Sequence, residues 1–174
     1  MESNAFAIEE EVVEFFLSKL EIGSTILEFG SGVGTLKLLE NFNVISVEDN
    51  PKWVGYATKL NKSDYNSNYL HAPLVEIEPV EGLGHSIWYD RSLLSPLMEM
   101  DFDAVLIDGP LGKYGRGGII GFISDNLEIF SNKLMVIDDC DRLDELKIFL
   151  RTHELIGGKA DIFEGKKRFG VISP

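Results

Sequence analysis

The sequence stretch that decides the fold is Ile26-Leu27-Glu28-Phe29-Gly30-Ser31-Gly32-Val33-Gly34-Thr35. An apolar run leads through an acid into glycines at alternate positions, and this order predicts a buried strand, a tight turn and the start of a helix. Alternate glycines allow unusual backbone dihedral angles and let a ligand approach the main chain closely. Unpaired N–H groups at the start of the helix would face that ligand, so the stretch indicates a nucleotide-like ligand.

The rest of the chain alternates strands with helices, which predicts a single α/β domain over residues 1–174. Periodicity and turn residues predict strands at 25–29, 44–48, 69–74, 102–108 and 133–137, followed by a hairpin at 159–164 and 168–172. Strands that alternate with helices build a parallel sheet covered by helices on both faces. We therefore expect a Rossmann-like, doubly wound, mainly parallel seven-stranded sheet with an antiparallel C-terminal hairpin.

The predicted helices follow from apolar periodicity and from residues that start helices. An N-terminal helix is expected at about 5–20, where apolar residues fall on one face and glutamates on the other. The pair Asn50-Pro51 predicts another helix, with Asn50 as its cap and Pro51 at its first position. Further helices are expected after the three glycines, from the glycine-rich loop to Phe130, and at 143–150.

One stretch, residues 75–95, has only a weak pattern and is interrupted by glycines. Loops and a short helix are expected there. The aromatic pair Trp88-Tyr89 within it either anchors a loop on the core or closes over a ligand.

Acidic residues end four of the predicted strands: Glu28, Glu48, Asp108 and the pair Asp138-Asp139. In doubly wound sheets, ligands bind outside the carboxyl ends of the strands, at the point where the strand order reverses. A purely structural role would favour apolar residues or glycine at these positions. The acids therefore predict a functional site at this edge of the sheet.

Composition limits the partners of the chain. The net charge is −13 over 174 residues, and binding to nucleic acid or to an anionic membrane requires a positive surface. Cys140 is the only cysteine, so no internal disulfide can form. The N-terminal segment lacks the order of a secretory signal, and no apolar run is long enough to cross a membrane. We expect a cytoplasmic protein.

The glycine spacing separates three kinds of nucleotide motif. A phosphate-binding P-loop requires a lysine after its last glycine, and a dinucleotide fingerprint requires Gly-x-Gly-x-x-Gly, whereas Thr35 stands at the place of that third glycine. The order Glu-x-Gly-x-Gly-x-Gly resembles motif I of the class I S-adenosylmethionine-dependent methyltransferases. A glycine-rich turn that binds no ligand is the alternative.

This resemblance implies a set of residues that bind S-adenosylmethionine. Glu48, at the end of the second strand, would pair with both ribose hydroxyls, unless it is only a cap or surface acid. Glu28 would hold the glycine turn and the amino end of the methionine portion through hydrogen bonds. The remaining cofactor contacts implied are Gly30, Ser31, Gly32, Gly34, Thr35, Asp49, Ala72 and Asp108.

A second resemblance concerns the methyl acceptor. The run 102–110, ending in Ile107-Asp108-Gly109-Pro110, is similar to the fourth-strand motif of small-molecule O-methyltransferases, in which the acid faces the methyl group. Together with Gly115-Arg116 and Asp139-Cys140-Asp141-Arg142, it distantly resembles the plant glucuronoxylan 4-O-methyltransferase family. This implies an oxygen acceptor on a small molecule, with Arg116 and Arg142 binding its carboxylate or phosphate. Surface salt bridges are the alternative role for both arginines.

Asp108, Asp138 and Asp139 also resemble the metal ligands of catechol-type O-methyltransferases, which hold Mg²⁺. Alternatively, these acids orient the acceptor, cap a helix or act as the base, for which Asp108 and Asp139 are the candidates. The Pro-Pro-aromatic run of DNA amino-methyltransferases is missing after Asp108, which argues against a nucleic-acid acceptor.

The predicted activity is therefore methyl transfer to a small-molecule acceptor. Two other functions stay open, a non-catalytic module that binds S-adenosylmethionine and a nicotinamide-dependent oxidoreductase. The N-terminal helix would either cover the donor or form a contact in a homodimer.

Overall fold

Strands and helices alternate along residues 8–174, which are the residues described by the computed structural model. The strands are β1 (Thr25–Phe29), β2 (Asn43–Glu48), β3 (Ser67–His71), β4 (Leu74–Glu76), β5 (Ile87–Tyr89), β6 (Ala104–Ile107), β7 (Leu134–Ile137), β8 (Lys159–Phe163) and β9 (Phe169–Ser173). The helices are α1 (Glu10–Lys19), α2 (Val33–Leu38), α3 (Tyr56–Leu60), α4 (Gly118–Asp125), α5 (Leu127–Phe130) and α6 (Leu143–Ile156).

Seven strands form the main sheet in the order β3-β2-β1-β6-β7-β9-β8. The first five are parallel, whereas β9 pairs antiparallel with both β7 and β8. The Rossmann-like, mainly parallel sheet with a C-terminal hairpin is therefore confirmed. The strand order reverses between β1 and β6, so the carboxyl ends of these two neighbours mark the switch point of the sheet.

The core has two layers because the central strands are buried on both faces. Leu27 and Phe29 of β1 face one cluster, which α4 and α6 cover, while Ile26 faces the other cluster under α1 and α2. This arrangement explains the continuously apolar strands. Val12 and Phe16 of α1 are fully buried in the second cluster, so the apolar face of α1 covers the sheet.

Several element boundaries differ from the predictions. The helix predicted at about 5–20 begins at Glu10, and its first predicted residues, 5–7, lie outside the described part of the chain. No helix starts at Asn50-Pro51: the Asn50 side chain accepts a hydrogen bond from the Lys52 amide in a turn, and α3 begins only after Gly55, whose φ is +69°. The local turn therefore outcompetes the helix start that the sequence indicated.

Residues 75–95, where loops and a short helix were predicted, also differ from the prediction. In this stretch β5 forms a small antiparallel sheet with β4. Two short 3-10 helices, Arg91–Leu93 and Ser95–Glu99, follow it. The predicted helix to Phe130 is divided into α4 and α5. Helix α6 extends beyond 150 to Ile156 and ends before Gly157, where φ is +72°. Trp88 and Tyr89 are fully buried in the core, as expected of aromatic anchors.

The packing of Trp88 against α4 gives a test of this fold. A Cβ atom at Gly118 would overlap the Trp88 side chain, which is fully buried. We expect Gly118→Ala to lower the free energy of unfolding by about 1–3 kcal/mol, the usual cost of overpacking. Gly121→Ala in the same helix would meet only the end of the flexible Arg91 side chain, and we expect a change within about 1 kcal/mol. Urea unfolding measures both, and equal stabilities would contradict the packing described here.

Candidate cofactor and catalytic site

A cleft of about 1300 Å³ opens at the carboxyl ends of β1, β2, β6 and β7. This is the edge of the sheet at which the sequence predicted a site, and the volume suits a nucleotide-sized ligand with space for a second molecule. The structure brings most of the predicted site residues to the cleft: Glu28, Gly30, Ser31, Gly32, Gly34, Thr35, Glu48, Asp49, Asp108, Arg116, Asp138, Asp139 and Arg142. Ala72 is the exception, since it is fully buried in the core and does not line the cleft.

The floor of the cleft is formed by the glycine turn after β1. Gly30 has a φ of +95°, and a Cβ atom on it would lie 2.8 Å from the backbone of Gly109, at the end of β6. Only glycine fits both the dihedral angle and the contact. The two turns at the switch point therefore touch through main-chain atoms, and both glycines line the cleft.

Glu28 supports this turn from below. One of its carboxylate oxygens accepts hydrogen bonds from the hydroxyls of Thr35 and Ser46, each at 2.8 Å. The Thr35 hydroxyl in turn accepts a bond from the Gly32 amide at 3.0 Å. Burial raises the pKa of Glu28 to about 8, against the opposing effect of these hydroxyl donors. Glu28 is placed to hold the glycine turn as predicted, while its contact with a ligand stays a prediction.

Glu48 connects the same turn to the end of β2. Its carboxylate accepts hydrogen bonds from the amides of Ser31 and Asn50, both at 2.7 Å. Each carboxylate oxygen can accept a further bond, so the group remains able to receive two ligand hydroxyls. Burial raises the pKa of Glu48 and also that of the neighbouring Asp49. Glu48 therefore lines the cleft at the end of β2, and its contact with a ribose stays a prediction.

The acids at the ends of β6 and β7 surround a buried arginine. Arg116 is only 3% exposed, and its Nη2 atom donates to Asp108 at 3.0 Å and to Asp139 at 2.9 Å. The other guanidinium nitrogens donate to the backbone carbonyls of Asp138 and Pro110. Because its donors bind within the protein, this geometry does not support the predicted contact of Arg116 with an acceptor. Arg142 is half exposed and remains available for that role.

The two candidate bases have different electrostatic surroundings. Burial raises the pKa of Asp108 to about 7, although Arg116 opposes the shift. Burial acts on Asp139 in the same direction, but Arg116, Lys167 and Arg142 lie 2.9–3.1 Å from its oxygens and together lower its pKa. Asp139 also has a φ of 60°, which is uncommon for a residue other than glycine. Of the two carboxylates, Asp108 is the one suited to accept a proton near neutral pH.

The same contacts test the predicted metal site. Asp108, Asp138 and Asp139 each offer an oxygen, and these oxygens lie within 4.8 Å of one another. However, the Arg116 guanidinium bridges two of the three carboxylates, and Lys167 and Arg142 bind Asp139 as well. The positive charge that a divalent cation would supply is already present, so this donor set does not fit Mg²⁺.

Several residues that line the cleft were not predicted as site residues, among them Lys167, His85 and Tyr89. Lys167 comes from the β8–β9 hairpin, and His85 accepts a hydrogen bond from the Gly117 amide at 3.1 Å while its other ring nitrogen lies 3.3 Å from Asp144. Tyr89 belongs to the aromatic pair that was expected either to anchor a loop on the core or to close over a ligand, and it is fully buried in the core while contributing to the wall of the cleft. No local motif identifies these residues, because each approaches the cleft from a distant part of the chain.

Comparison with known proteins relates this geometry to one fold. No protein-family model and no curated protein sequence matches the chain. Among solved structures, it is similar to precorrin-6y C5,15-methyltransferase from Geobacter metallireducens, with 16% identity over 98% of this chain and 90% of that chain and a TM-score of 0.59.

Two further solved structures contain S-adenosylhomocysteine. Human methyltransferase-like protein 13 is 12% identical, over 92% of this chain and 75% of that chain, with a TM-score of 0.55. A methyltransferase from Podospora anserina is 14% identical, over 98% of this chain and 90% of that chain, with a TM-score of 0.54. At these identities the likeness establishes the Rossmann-like methyltransferase fold. Within residues 8–174, no helix is long and apolar enough to cross a membrane.

The buried Glu28 predicts a pH-dependent stability. The pKa of Glu28 is about 8 in the folded chain, whereas its ordinary value, expected in the unfolded chain, is 4.5. Between pH 4.5 and pH 8, the folded chain therefore retains a proton that the unfolded chain has released. The free energy of unfolding therefore falls as the pH rises from about 5 to about 8. Glu28→Gln keeps an oxygen for both hydroxyl donors but cannot ionise, and we expect it to reduce this loss by at least about 1 kcal/mol.

Urea unfolding at pH 5, 6, 7 and 8 measures this difference. The exposed Glu40 provides the control, because Glu40→Gln should follow the wild-type pH dependence. Parallel curves for wild type and Glu28→Gln would contradict a raised pKa at Glu28.

Proposed function

We propose that this chain binds S-adenosylmethionine and transfers its methyl group to an oxygen of a small-molecule acceptor. The observation that carries the proposal is the Glu48 carboxylate, which stands at the end of β2, lines the cleft and binds the Ser31 amide of the glycine turn. In this arrangement, Glu48 would bind the ribose of the adenosine, and the glycine turn beside it would accommodate the attached methionine portion. The fold shared with methyltransferases that hold S-adenosylhomocysteine supports the same donor.

The donor half of the cleft is suited to a cationic ligand. S-adenosylmethionine carries a positively charged sulfonium and an ammonium group, and the donor half contains the acids Glu48, Asp49 and Asp108. The bare backbone at Gly30 and Gly109 allows close approach of the methionine portion. When bound, the sulfonium would supply an activated methyl group, and the residues of this chain would hold that methyl group in position.

The acceptor half presents exposed cationic side chains, although the whole chain is strongly acidic. Arg142 and Lys167 line it with side chains that are 49% and 36% exposed, and the exposed Lys113 lies beside them. Leu111 and Leu143 add apolar surface nearby. We infer an acceptor that carries a carboxylate or phosphate next to the hydroxyl to be methylated, and carboxylate-bearing sugars are the first class to test.

Asp108 is the proposed base. An acceptor hydroxyl that attacks the methyl carbon in line with the sulfur loses its proton, and Asp108 in its ionised form accepts that proton. The oxygen–carbon bond forms as the carbon–sulfur bond breaks, which leaves a neutral thioether. Asp139 instead holds Arg116, Arg142 and Lys167 in place. The step requires no metal ion.

Binding of S-adenosylhomocysteine, measured by isothermal titration, tests the donor assignment. We expect the wild-type chain to bind it and Glu48→Gln to bind at least about tenfold more weakly, because one charge-assisted acceptor for the ribose is lost. Glu76→Gln, at an exposed position on β4, is the matched control and should bind as wild type. Binding of a nicotinamide dinucleotide without S-adenosylhomocysteine would instead identify an oxidoreductase.

A pH profile with Asp108→Asn tests the base, once a screen of carboxylate-bearing hydroxyl compounds has found an acceptor. We expect kcat of the wild type to rise with pH through about 7, where Asp108 ionises. Asp108→Asn should lose about 100-fold or more in kcat while it still binds S-adenosylhomocysteine. Unchanged turnover would exclude Asp108 as the base, and donor binding without transfer to any acceptor would favour a non-catalytic binding module.

A further inference from the structure

The His85 side chain joins three segments of the chain at the wall of the cleft. It lies between β4 and β5, is 13% exposed and lines the cleft. The Nδ1 atom of its ring accepts a hydrogen bond at 3.1 Å from the amide of Gly117, the residue after Arg116. Its Nε2 atom lies 3.3 Å from the carboxylate of Asp144, in the first turn of α6. The imidazole therefore connects the β4–β5 hairpin with α6 and with the loop that carries Arg116.

The loop that carries Arg116 packs closely against this ring. A Cβ atom at Gly115, where φ is +79°, would lie 2.4 Å from imidazole carbons, and one at Gly117 would lie 2.8 Å from Nδ1. Arg116 thus stands between two glycines whose Cα atoms face the same ring. Glycine on both sides gives the backbone at Arg116 high conformational freedom, and the contacts with His85 restrict it.

Arg116 needs a fixed backbone because its guanidinium binds several partners at once. One nitrogen donates to Asp108 and to Asp139, and the others donate to backbone carbonyls after β6 and β7. Hydrogen bonds weaken steeply when their distance and angle change, so a displaced backbone would weaken all of these together. The Gly117 amide and the Asp108 carboxylate are therefore linked through one side chain.

The chemistry of the His85 ring separates a positioning role from a catalytic one. An amide N–H only donates, so Nδ1 carries the lone pair and the ring proton lies on Nε2, which faces the Asp144 carboxylate. The lone pair that a base would use is already occupied by the Gly117 amide. His85 thus suits a residue that orients its neighbours, and Asp108 stays the proposed base.

We propose that His85 is a positioning residue for the methyl transfer, which holds the Gly117 amide and, through Arg116, keeps Asp108 in place. This inference rests on the proposed function. Histidine fits the position because one rigid ring offers an acceptor towards the amide and a donor towards the carboxylate. Asparagine can reproduce the acceptor alone, and leucine can reproduce neither.

Hydrogen exchange of the Arg116 Nε–H, followed by proton–nitrogen NMR of the whole chain, tests this role. We expect His85→Leu to accelerate the exchange about tenfold, the factor of one lost hydrogen bond. His85→Asn keeps an oxygen near the place of Nδ1 and should restore most of the protection. The backbone amides of β1 and β6 are internal references, because a general loss of stability would accelerate their exchange as well.

His153→Leu is the matched control. The His153 ring donates to the Gly158 carbonyl at 3.0 Å and does not line the cleft, so its loss should leave the exchange at Arg116 unchanged. In the acceptor assay used for Asp108→Asn, kcat of His85→Leu should fall at least about tenfold, because the base is misplaced.

Unchanged exchange at Arg116 in His85→Leu would overturn the inference, and so would unchanged kcat. Acceleration shared equally with β1 and β6 would show a purely structural role, and failure of His85→Asn to restore protection would exclude the Gly117 hydrogen bond as its cause. Titration of the wild type with S-adenosylhomocysteine tests the underlying function separately. Absence of donor binding would overturn the role in methyl transfer together with the proposed function, whatever the exchange rates are. Donor binding together with faster exchange at Arg116 alone supports both.

Discussion

The buried guanidinium of Arg116 is the interaction on which the ends of β6 and β7 in the cleft depend. It holds the carboxylates of Asp108 and Asp139 together at the ends of two adjacent parallel strands, where their charges would otherwise repel each other. Removing one partner of a buried ion pair usually costs about 3–5 kcal/mol, because a charge is left without compensation. Arg116 also donates to backbone carbonyls after β6 and β7. One side chain thus fixes both loops and places positive charge between the two carboxylates.

This arrangement gives two similar acids different properties. Both stand at the carboxyl edge of the sheet and both contact Arg116, but Asp139 also binds Arg142 and Lys167. Three cations keep Asp139 ionised, whereas burial dominates at Asp108 and brings its pKa to about 7. The number of nearby cations, rather than the residue type, separates an acid that organises the site from one that can accept a proton.

The donor end is organised by hydrogen bonds instead of ion pairs. Glu28 holds the glycine turn through Thr35, and Glu48 holds it through the Ser31 amide. Backbone contact between Gly30 and Gly109 joins this end to the acid cluster. The hairpin of β4 and β5 then contributes His85 and Tyr89 from the side of the cleft. The cleft therefore combines an acidic part beside glycine backbone with a part in which the exposed Arg142 and Lys167 lie among further acids.

The sequence by itself determined the sheet, the glycine turn and the acids at the strand ends, because buried parallel strands and alternate glycines are local patterns that few other structures satisfy. It also predicted that these acids would meet, since parallel strands end at the same edge. Only the tertiary structure decided what each side chain does. In the folded chain, Arg116 is buried and binds two carboxylates, and Ala72 lies away from the cleft. Residues from distant parts of the chain line the cleft instead: Lys167, His85 and Tyr89. These roles depend on burial and on contacts between residues far apart in the chain, and no local pattern of residues encodes them.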